Sequence, residues 1–268
     1  MKFTNKIIQC LPSCVFIAFK GYGWFGNFST WDEAKARSIG YDSENILQTV
    51  SCALAKVKNG EAIYERDSVL FDKIEYSWEL LSSLMWIAAQ NKGQLNVIDF
   101  GGSLGSTYFQ NKNFLDTLSN VRWNIVEQPS FVEEGKEKFE NGILKFYYTI
   151  DECLSQAGNA VDCVIFSSVL QYLDEPYTIL NDVLMYNIPY VIVDRTSFTL
   201  KDKERITIQK VPASIYKALY PCRFFNEGEF KKIFYDGGYE LVVDFEALDF
   251  ANIPSKYKGF VFRLKTHV

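Results

Sequence analysis

The sequence predicts an α/β fold with a mostly parallel sheet, preceded by a helical N-terminal extension. Three observations predict it. From residue 91 onward, short apolar runs alternate with helical segments, these runs lack the polar alternation of a half-exposed sheet, and a Gly-rich turn follows the first of them. Of the 268 residues, 48% are hydrophobic, which is enough to fill a sizeable core. We therefore expect an extension over residues 1–90 and a sheet domain over residues 91–268.

Apolar residues recur at helical spacing in the N-terminal part of the chain and predict three helices. The first begins at a capping box, Thr30–Glu33, the second covers about 44–58, and the third covers about 71–90. The apolar stretch 7–19 resembles part of a signal peptide but is interrupted by Pro12. Since it is also shorter than the roughly 20 residues that cross a bilayer, we expect no membrane span.

The sheet domain contains seven short runs enriched in Val, Ile and aromatic residues, which predict its strands. They are residues 95–100, 123–127, 144–148, 162–166, 190–194, 240–245 and 259–264. The last two follow a helix at about 227–235 and are expected to pair antiparallel at one edge of the sheet. The segment 196–225 is longer than an ordinary connection, which is typical of a substrate lid.

Charge and cysteine usage narrow the class of protein. The formal net charge is -5 and the pI is about 5.1, so the chain offers no general positive field for nucleic acid. The six cysteines have no CxxC spacing, and the single histidine is His267, next to the end of the sequence. No metal site is therefore expected, and reduced thiols indicate a cytoplasmic protein.

The first functional motif is the turn after the first strand of the sheet domain, Asp99–Gly105. Its glycines allow close approach of the backbone to a ligand, and the amides of the following helix start favour an anion such as a carboxylate. The next strand ends in Glu127, where a carboxylate can accept hydrogen bonds from ribose hydroxyls. Together these features predict a cofactor that contains a nucleoside.

A nicotinamide-dependent reductase is an alternative interpretation of the same turn. The dinucleotide fingerprint requires G-x-G-x-x-G, whereas this turn has Ser103 in place of the middle glycine. Asp99, inside the strand, also suits a cofactor with an amino-acid portion better than a pyrophosphate. Its alternative role is to hold the turn through hydrogen bonds to nearby amides.

Longer strings carry a resemblance to a known family. They are Glu65–Asp72, Glu75–Trp78, Asp99–Gln110, Val126–Pro129, Ser167–Leu173, Val193–Thr196 and Tyr220–Cys222. On these strings the chain resembles the class I S-adenosylmethionine-dependent methyltransferases, and within them a bacterial group often encoded with surface-polysaccharide (capsule) biosynthesis genes. The resemblance covers nearly the whole chain.

The resemblance implies a Rossmann-like, seven-stranded class I methyltransferase fold with S-adenosylmethionine as the cofactor. The residues it assigns to cofactor binding are Asp99, Gly101, Gly102, Gly105 and Glu127. Ser103 departs from the glycine of most class I methyltransferases and indicates a slightly different turn. Ser168 follows the fourth strand and is expected to face the same ligand, because ligands bind outside the carboxyl ends of the strands.

The ends of the fourth and fifth strands supply the candidates for handling the methyl acceptor. Gln171 and Tyr172 can orient an acceptor by hydrogen bonds, and Asp194 and Arg195 bring opposite charges to the same edge. We predict that Tyr172, Asp194 and Arg195 are catalytic, with Asp194 or Tyr172 as base, and that Gln171 binds substrate. A structural ion pair is the alternative for Asp194 and Arg195.

The predicted lid supplies Arg205, Tyr216 and Arg223 as further substrate-binding residues. Guanidinium groups pair well with phosphate or carboxylate oxygens, so these residues favour a small polar or anionic acceptor. A solvated surface helix is the alternative for this segment.

The resemblance therefore implies an O-methyltransferase that acts on a glycan or nucleotide-linked precursor in surface-glycan biosynthesis. The acceptor is expected to be a nucleotide-linked phosphoramidate or a sugar hydroxyl. Methyl transfer from a sulfonium needs alignment of the acceptor above all, so a general base is not required for an anionic oxygen. The alternative from a different class is a non-catalytic module that binds S-adenosylmethionine as a regulator or scaffold. The sequence sets no oligomeric state.

Overall fold

The computed structural model describes residues 21–38, 43–156, 161–212, 215 and 217–265. The apolar stretch 7–19, Tyr216 and His267 lie outside the described residues. Within these ranges, no helix is long and apolar enough to cross a membrane.

The helices fall close to the positions that the sequence predicts. They are α1 (Trp31–Ala36), α2 (Ser43–Lys58), α3 (Trp78–Gln90), α4 (Ser106–Leu115), α5 (Pro129–Lys138), α6 (Ile150–Gln156), α7 (Pro176–Met185) and α8 (Glu227–Asp236), with a short 3₁₀ turn at Leu170–Tyr172. Thr30 caps α1 by accepting a hydrogen bond from the Glu33 amide, as the capping box predicts.

The strands include the seven predicted ones and five others. They are β1 (Gly23–Phe28), β2 (Tyr64–Arg66), β3 (Val69–Phe71), β4 (Gln94–Phe100), β5 (Asn120–Val126), β6 (Leu144–Tyr147), β7 (Cys163–Ser167), β8 (Tyr190–Thr199), β9 (Arg205–Lys210), β10 (Leu219–Phe224), β11 (Tyr239–Glu246) and β12 (Ser255–Leu264).

The central sheet has seven strands in the order β11-β12-β8-β7-β4-β5-β6. The strands from β8 to β6 in this order run parallel, and β12 lies antiparallel between β8 and β11. This confirms the predicted Rossmann-like α/β fold with an antiparallel edge hairpin. Because the parallel strands end at one edge, the residues that follow them meet in a common crevice.

Both faces of this sheet are covered by helices, which explains why its strands are apolar throughout. Successive strand residues point to opposite faces, so Val97 packs with α2 to α5 while Ile98 packs with α6 to α8. Leu84 of α3 and Phe230 of α8 are completely buried in these two layers. The site residues are therefore held on rigid strand ends.

A second, three-stranded sheet has the order β1-β9-β10 and was not predicted. Strand β1 pairs with β9, and β9 pairs with β10, both antiparallel, so part of the N-terminal extension joins the segment 196–225. The alternation in β9 was a readable signal, because Ile206 and Ile208 are buried against Trp31 while Gln209 is not.

Two predicted boundaries show the largest differences from the structure. The third helix begins at Trp78 rather than near residue 71, because Val69–Phe71 pairs with Tyr64–Arg66 as a short hairpin. Strand β8 continues beyond residue 194, because residues 196–199 go on pairing with residues 255–258 of β12. In both cases a pairing partner decides the boundary, and that partner is not visible in local sequence.

Candidate functional site

A cavity of about 750 Å³ opens at the carboxyl ends of the parallel strands. Gly101, Glu127 and Ser168, which follow β4, β5 and β7, line it together with Asp194, which lies within β8. The β2–β3 hairpin, β9, β10 and the β11–β12 connection supply the other walls. The cavity therefore lies where the fold predicts a ligand.

A side chain in place of Gly101 or Gly102 in the turn would clash with neighbouring side chains. Gly101 has φ +69°, and a Cβ there would lie 2.3 Å from Val169 Cγ2. A Cβ on Gly102 would lie 2.5 Å from Asp99 Cγ. Ser103 also adopts a left-handed φ of +55°, which shows how a serine replaces the usual glycine. Gly101, Gly102 and Ser103 line the cavity, whereas Gly105 does not and forms the N-cap of α4.

Asp99 lies beneath the turn and does not line the cavity. Its side chain is buried, and Trp123 Nε1 donates a hydrogen bond to Asp99 Oδ2 at 3.0 Å. Burial raises the pKa of Asp99 to about 7. Asp99 Oδ1 has no hydrogen-bond partner among the described residues, so the alternative role, hydrogen bonding to nearby amides, is not seen, and the carboxyl group meets the turn only by packing under Gly102.

Glu127 reaches the cavity from the end of β5. The Gln128 amide donates to Glu127 Oε2 at 2.6 Å. Burial raises the pKa of Glu127, while hydrogen bonds from the Gln128 and Ser103 amides oppose that rise. These contacts connect the carboxylate to the Gly turn and fix its orientation.

The three residues predicted to be catalytic all line the cavity. Asp194 is 1% exposed, and its Oδ1 has no hydrogen-bond partner within the described part of the chain. Burial raises the pKa of Asp194 to about 6, although the neighbouring Arg195 lowers it. The Tyr172 hydroxyl donates to Gln209 Oε1 at 2.8 Å, and burial raises its pKa far above the usual value. Asp194 is thus the better placed of the two to accept a proton.

Arg195 has its charge balanced by two carboxylates. Arg195 Nε and Nη2 donate to the two oxygens of Asp249 at 2.8 and 3.0 Å, and Nη2 also donates to Asp67 at 3.0 Å. Burial opposes the charge, but these carboxylates raise the pKa of Arg195 well above its usual value. Arg195 therefore forms ion pairs with Asp249 and Asp67 and not with Asp194, which was its partner in the alternative interpretation.

The predicted substrate-binding residues do not meet in the cavity. Gln171 is fully buried behind it and donates to Ser168 Oγ at 3.3 Å and to the Arg195 carbonyl at 3.0 Å. Arg205 donates to the Gly26 carbonyl, and Arg223 pairs with Glu204 at 3.0 Å. Neither arginine lines the cavity, and Tyr216 lies outside the described residues.

Several cavity residues were not among the residues predicted to bind a ligand. Glu65 and Ser68 come from the β2–β3 hairpin, Gln209 from β9, and Asp249 and Tyr257 from the edge of the C-terminal hairpin. Glu65 and Ser68 belong to a string that supported the family resemblance, and Gln209 lies in the predicted lid segment 196–225, so a signal existed for these three. Asp249 and Tyr257 had none, because their approach depends on pairings between distant strands.

Acidic side chains dominate the charged part of the cavity wall. Glu65, Glu127, Asp194 and Asp249 all line it, together with Arg195. A wall of this composition favours cationic or neutral ligand groups over anionic ones. Among the residues that the structure describes, no group of His, Cys, Asp and Glu could hold a metal ion.

No family model and no curated protein matches the chain. Solved structures do match. The [4+2]-cyclase SpnF aligns with a TM-score of 0.52 at 11% identity, over 92% of this chain and 100% of that chain. Magnesium protoporphyrin IX methyltransferase from Synechocystis PCC 6803, solved with bound S-adenosylmethionine, aligns with a TM-score of 0.45 at 17% identity, over 70% and 79%.

The 1,6-didemethyltoxoflavin-N1-methyltransferase of Burkholderia thailandensis, solved with S-adenosylhomocysteine, has a TM-score of 0.44 at 14% identity, over 91% of this chain and 94% of that chain. The likeness to the cyclase extends over most of both chains. It shows that the two proteins share one α/β fold.

Proposed function

We propose that the chain is an S-adenosylmethionine-dependent O-methyltransferase whose acceptor is a small, polar hydroxyl compound. The observation that carries this proposal is that a single cavity joins the Gly turn and Glu127 to the buried Asp194 carboxyl group. The fold and the family resemblance both support the cofactor. The acidic wall adds to this support, because S-adenosylmethionine carries a sulfonium and an ammonium group.

The chain's own residues can hold each part of that cofactor. The backbone of Gly101 and Gly102 allows close approach, and Glu127 can accept hydrogen bonds from the ribose hydroxyls. The N-terminal amides of α4, which begins at Ser106, favour the carboxylate of the amino-acid portion. When bound, the cofactor supplies an electrophilic methyl group.

Asp194 is the proposed general base. With a pKa of about 6 it is mostly ionised at neutral pH, and its Oδ1 has no competing hydrogen bond among the described residues. With the cofactor bound, Asp194 would accept the proton of the acceptor hydroxyl as its oxygen takes the methyl group and the carbon–sulfur bond breaks. The products would be a methyl ether and S-adenosylhomocysteine.

The far end of the cavity suits a neutral ring that carries hydroxyl groups. Trp24, Tyr220 and Tyr257 provide aromatic surface there, Gln209 provides an amide, and the Tyr257 hydroxyl has no partner within the described ranges. The arginines that favoured an anionic acceptor are engaged elsewhere. We therefore favour a sugar hydroxyl over a phosphoramidate.

The proposed setting is surface-glycan biosynthesis in the cytoplasm, with a glycan precursor as the small-molecule acceptor. The support is the resemblance to a bacterial group often encoded with surface-polysaccharide genes. The aromatic, polar end of the cavity is compatible with this setting.

Two measurements test the proposal. Calorimetry with S-adenosylhomocysteine should show binding, and labelled S-adenosylmethionine should transfer its methyl group to members of a panel of neutral glycosides. The same assay with nucleotide-linked phosphoramidates should give little transfer. Binding without transfer to any acceptor would favour the non-catalytic module, and absence of binding would contradict the proposal.

A further inference from the structure

The β2–β3 hairpin places two polar groups at the cavity wall, Glu65 in β2 and Ser68 in the turn, that lack a counter-charge or a hydrogen-bond partner. Glu65 is 3% exposed, and it accepts hydrogen bonds from Ser106 Oγ at 2.9 Å and from the Ser68 amide at 3.3 Å. Within the described residues it forms no ion pair with a lysine or arginine. Ser68 Oγ is itself buried without a hydrogen-bond partner in that part of the chain.

The two arginines of the cavity wall, Arg66 and Arg195, are already engaged. Arg66 pairs with Glu75 at 2.9 Å, and Arg195 pairs with Asp249 and Asp67. Burying a carboxylate without a counter-charge costs free energy, and this burial raises the pKa of Glu65 to about 7. A cation from outside the chain would complete the arrangement.

The position of Glu65 indicates which cation this is. Ser106, its hydrogen-bond donor, is the first residue of α4 and follows Gly105 directly. The free amides at this helix start favour a carboxylate. In an α-amino acid the ammonium group is attached to the carbon that bears the carboxylate. A ligand with its carboxylate at the start of α4 therefore has its ammonium group within reach of Glu65.

We propose that Glu65 binds the α-ammonium group of the cofactor's amino-acid portion, with the Ser68 hydroxyl as a second acceptor. The inference rests on the proposed function, since it takes S-adenosylmethionine as the cofactor. It assigns the hairpin a specific task, which is to select a ligand with a free α-amino group. Neither the Gly turn nor Glu127 performs that selection.

The test compares two compounds and two forms of the full chain by calorimetry. The compounds are S-adenosylhomocysteine and its analogue in which hydrogen replaces the α-amino group. The unsubstituted protein should bind S-adenosylhomocysteine about 10- to 100-fold more tightly than the analogue, as expected for a hydrogen-bonded charge pair. Glu65→Gln should lose about the same factor for S-adenosylhomocysteine and leave the affinity for the analogue unchanged.

Glu61→Gln serves as the matched control, because Glu61 is exposed just before the hairpin and does not line the cavity. It should change neither affinity. Equal weakening of both compounds by Glu65→Gln would assign Glu65 a structural role and overturn the inference. Equal affinity of the unsubstituted protein for both compounds would also overturn it, whether or not the variant folds. If the unsubstituted protein bound neither compound, the proposed function would fail as well.

Discussion

Three buried carboxyl groups, Glu65, Asp99 and Asp194, set the electrostatics of the site at the scale of single residues. Burial raises the pKa values of Glu65 and Asp99 to about 7 and that of Asp194 to about 6. Asp99 and Asp194 were recognisable in the sequence, because acidic residues at the ends of apolar strands are unusual. The burial of these two side chains could not be predicted, because it depends on which elements cover them.

Asp194→Asn tests the proposed base. The substitution keeps the shape of the side chain but removes its proton affinity, so kcat for a hydroxyl acceptor should fall by roughly 10²- to 10⁴-fold. The dissociation constant for S-adenosylhomocysteine should stay the same. The melting temperature should not fall, because burial disfavours the charged carboxylate that the substitution removes. An unchanged kcat would exclude Asp194 as the base.

Gly102→Ala tests the turn. Its new methyl group would lie 2.5 Å from the Asp99 carboxyl carbon, so the turn must shift. We expect weaker binding of S-adenosylhomocysteine and a loss of stability of about 1–3 kcal/mol, the usual cost of overpacking. Gly142→Ala is the control, since a Cβ there meets nothing within 4 Å. Calorimetry and urea unfolding measure both effects, and equal behaviour of the two variants would refute the steric argument.

Three elements converge on Arg195 at the scale of secondary structure. Strand β8 carries the guanidinium, the β2–β3 turn brings Asp67, and the β11–β12 connection brings Asp249. Sequence analysis placed a carboxylate and a guanidinium at this edge but could not identify these partners. Each partner arrives through a pairing that no local pattern encodes.

The two partners of Arg195 should contribute unequally. The Asp249 side chain is 24% exposed and binds Arg195 through both oxygens, whereas the Asp67 side chain is 62% exposed and binds through one. We expect Asp249→Asn to lower the free energy of unfolding by about 2 kcal/mol and Asp67→Asn by less than about 1 kcal/mol. Urea unfolding of both variants measures the difference. A larger loss of unfolding free energy from Asp67→Asn than from Asp249→Asn would contradict the assignment of Asp249 as the stronger partner of Arg195.

The predictability of the elements follows their length and periodicity. The seven strands of the central sheet and helix α8 were predicted to within a few residues, except at the ends of β5, β8 and β12. The short hairpin of β2 and β3 was missed, because three-residue strands have no periodicity to read. The walls of the cavity formed by β1, β9 and β10 were missed with it.

At the scale of the whole molecule, the strand order explains why residues at the ends of the parallel strands could be brought together from the sequence, whereas the opposite wall of the cavity could not. The parallel strands follow one another in sequence with intervening helices, so their ends must meet. The opposite wall is built in part by antiparallel strands from distant parts of the chain. Predicting it requires knowledge of long-range pairing.

The buried carboxyl groups also give a prediction for global stability. A carboxyl group whose pKa is higher in the folded than in the unfolded state binds more protons when folded, so the folded state gains from low pH. For Glu65 and Asp99 this contribution is fully present below about pH 4 and is lost as pH rises through about 7. We therefore expect the free energy of unfolding of the ligand-free protein to fall as the pH rises from about 4.5 to about 7.5.

Urea unfolding across this range measures the slope. Asp99→Asn should reduce the total loss of unfolding free energy over this pH range by on the order of 3 kcal/mol, since one pKa unit corresponds to about 1.4 kcal/mol. Asp116→Asn is a control, because Asp116 is exposed at the end of α4. A stability that rises with pH over this interval would contradict the assigned pKa shifts.

The register of β1 against β9 has a consequence for how the protein is made. Gly23 pairs with Lys210, so β1 cannot complete its pairing until β9, which is synthesised much later, has left the ribosome. The parallel strands β4 to β7 and their helices are complete before that moment. The part of the sheet that carries the Gly turn and Glu127 is therefore synthesised before β1 and β9 can pair and complete the opposite wall of the cavity.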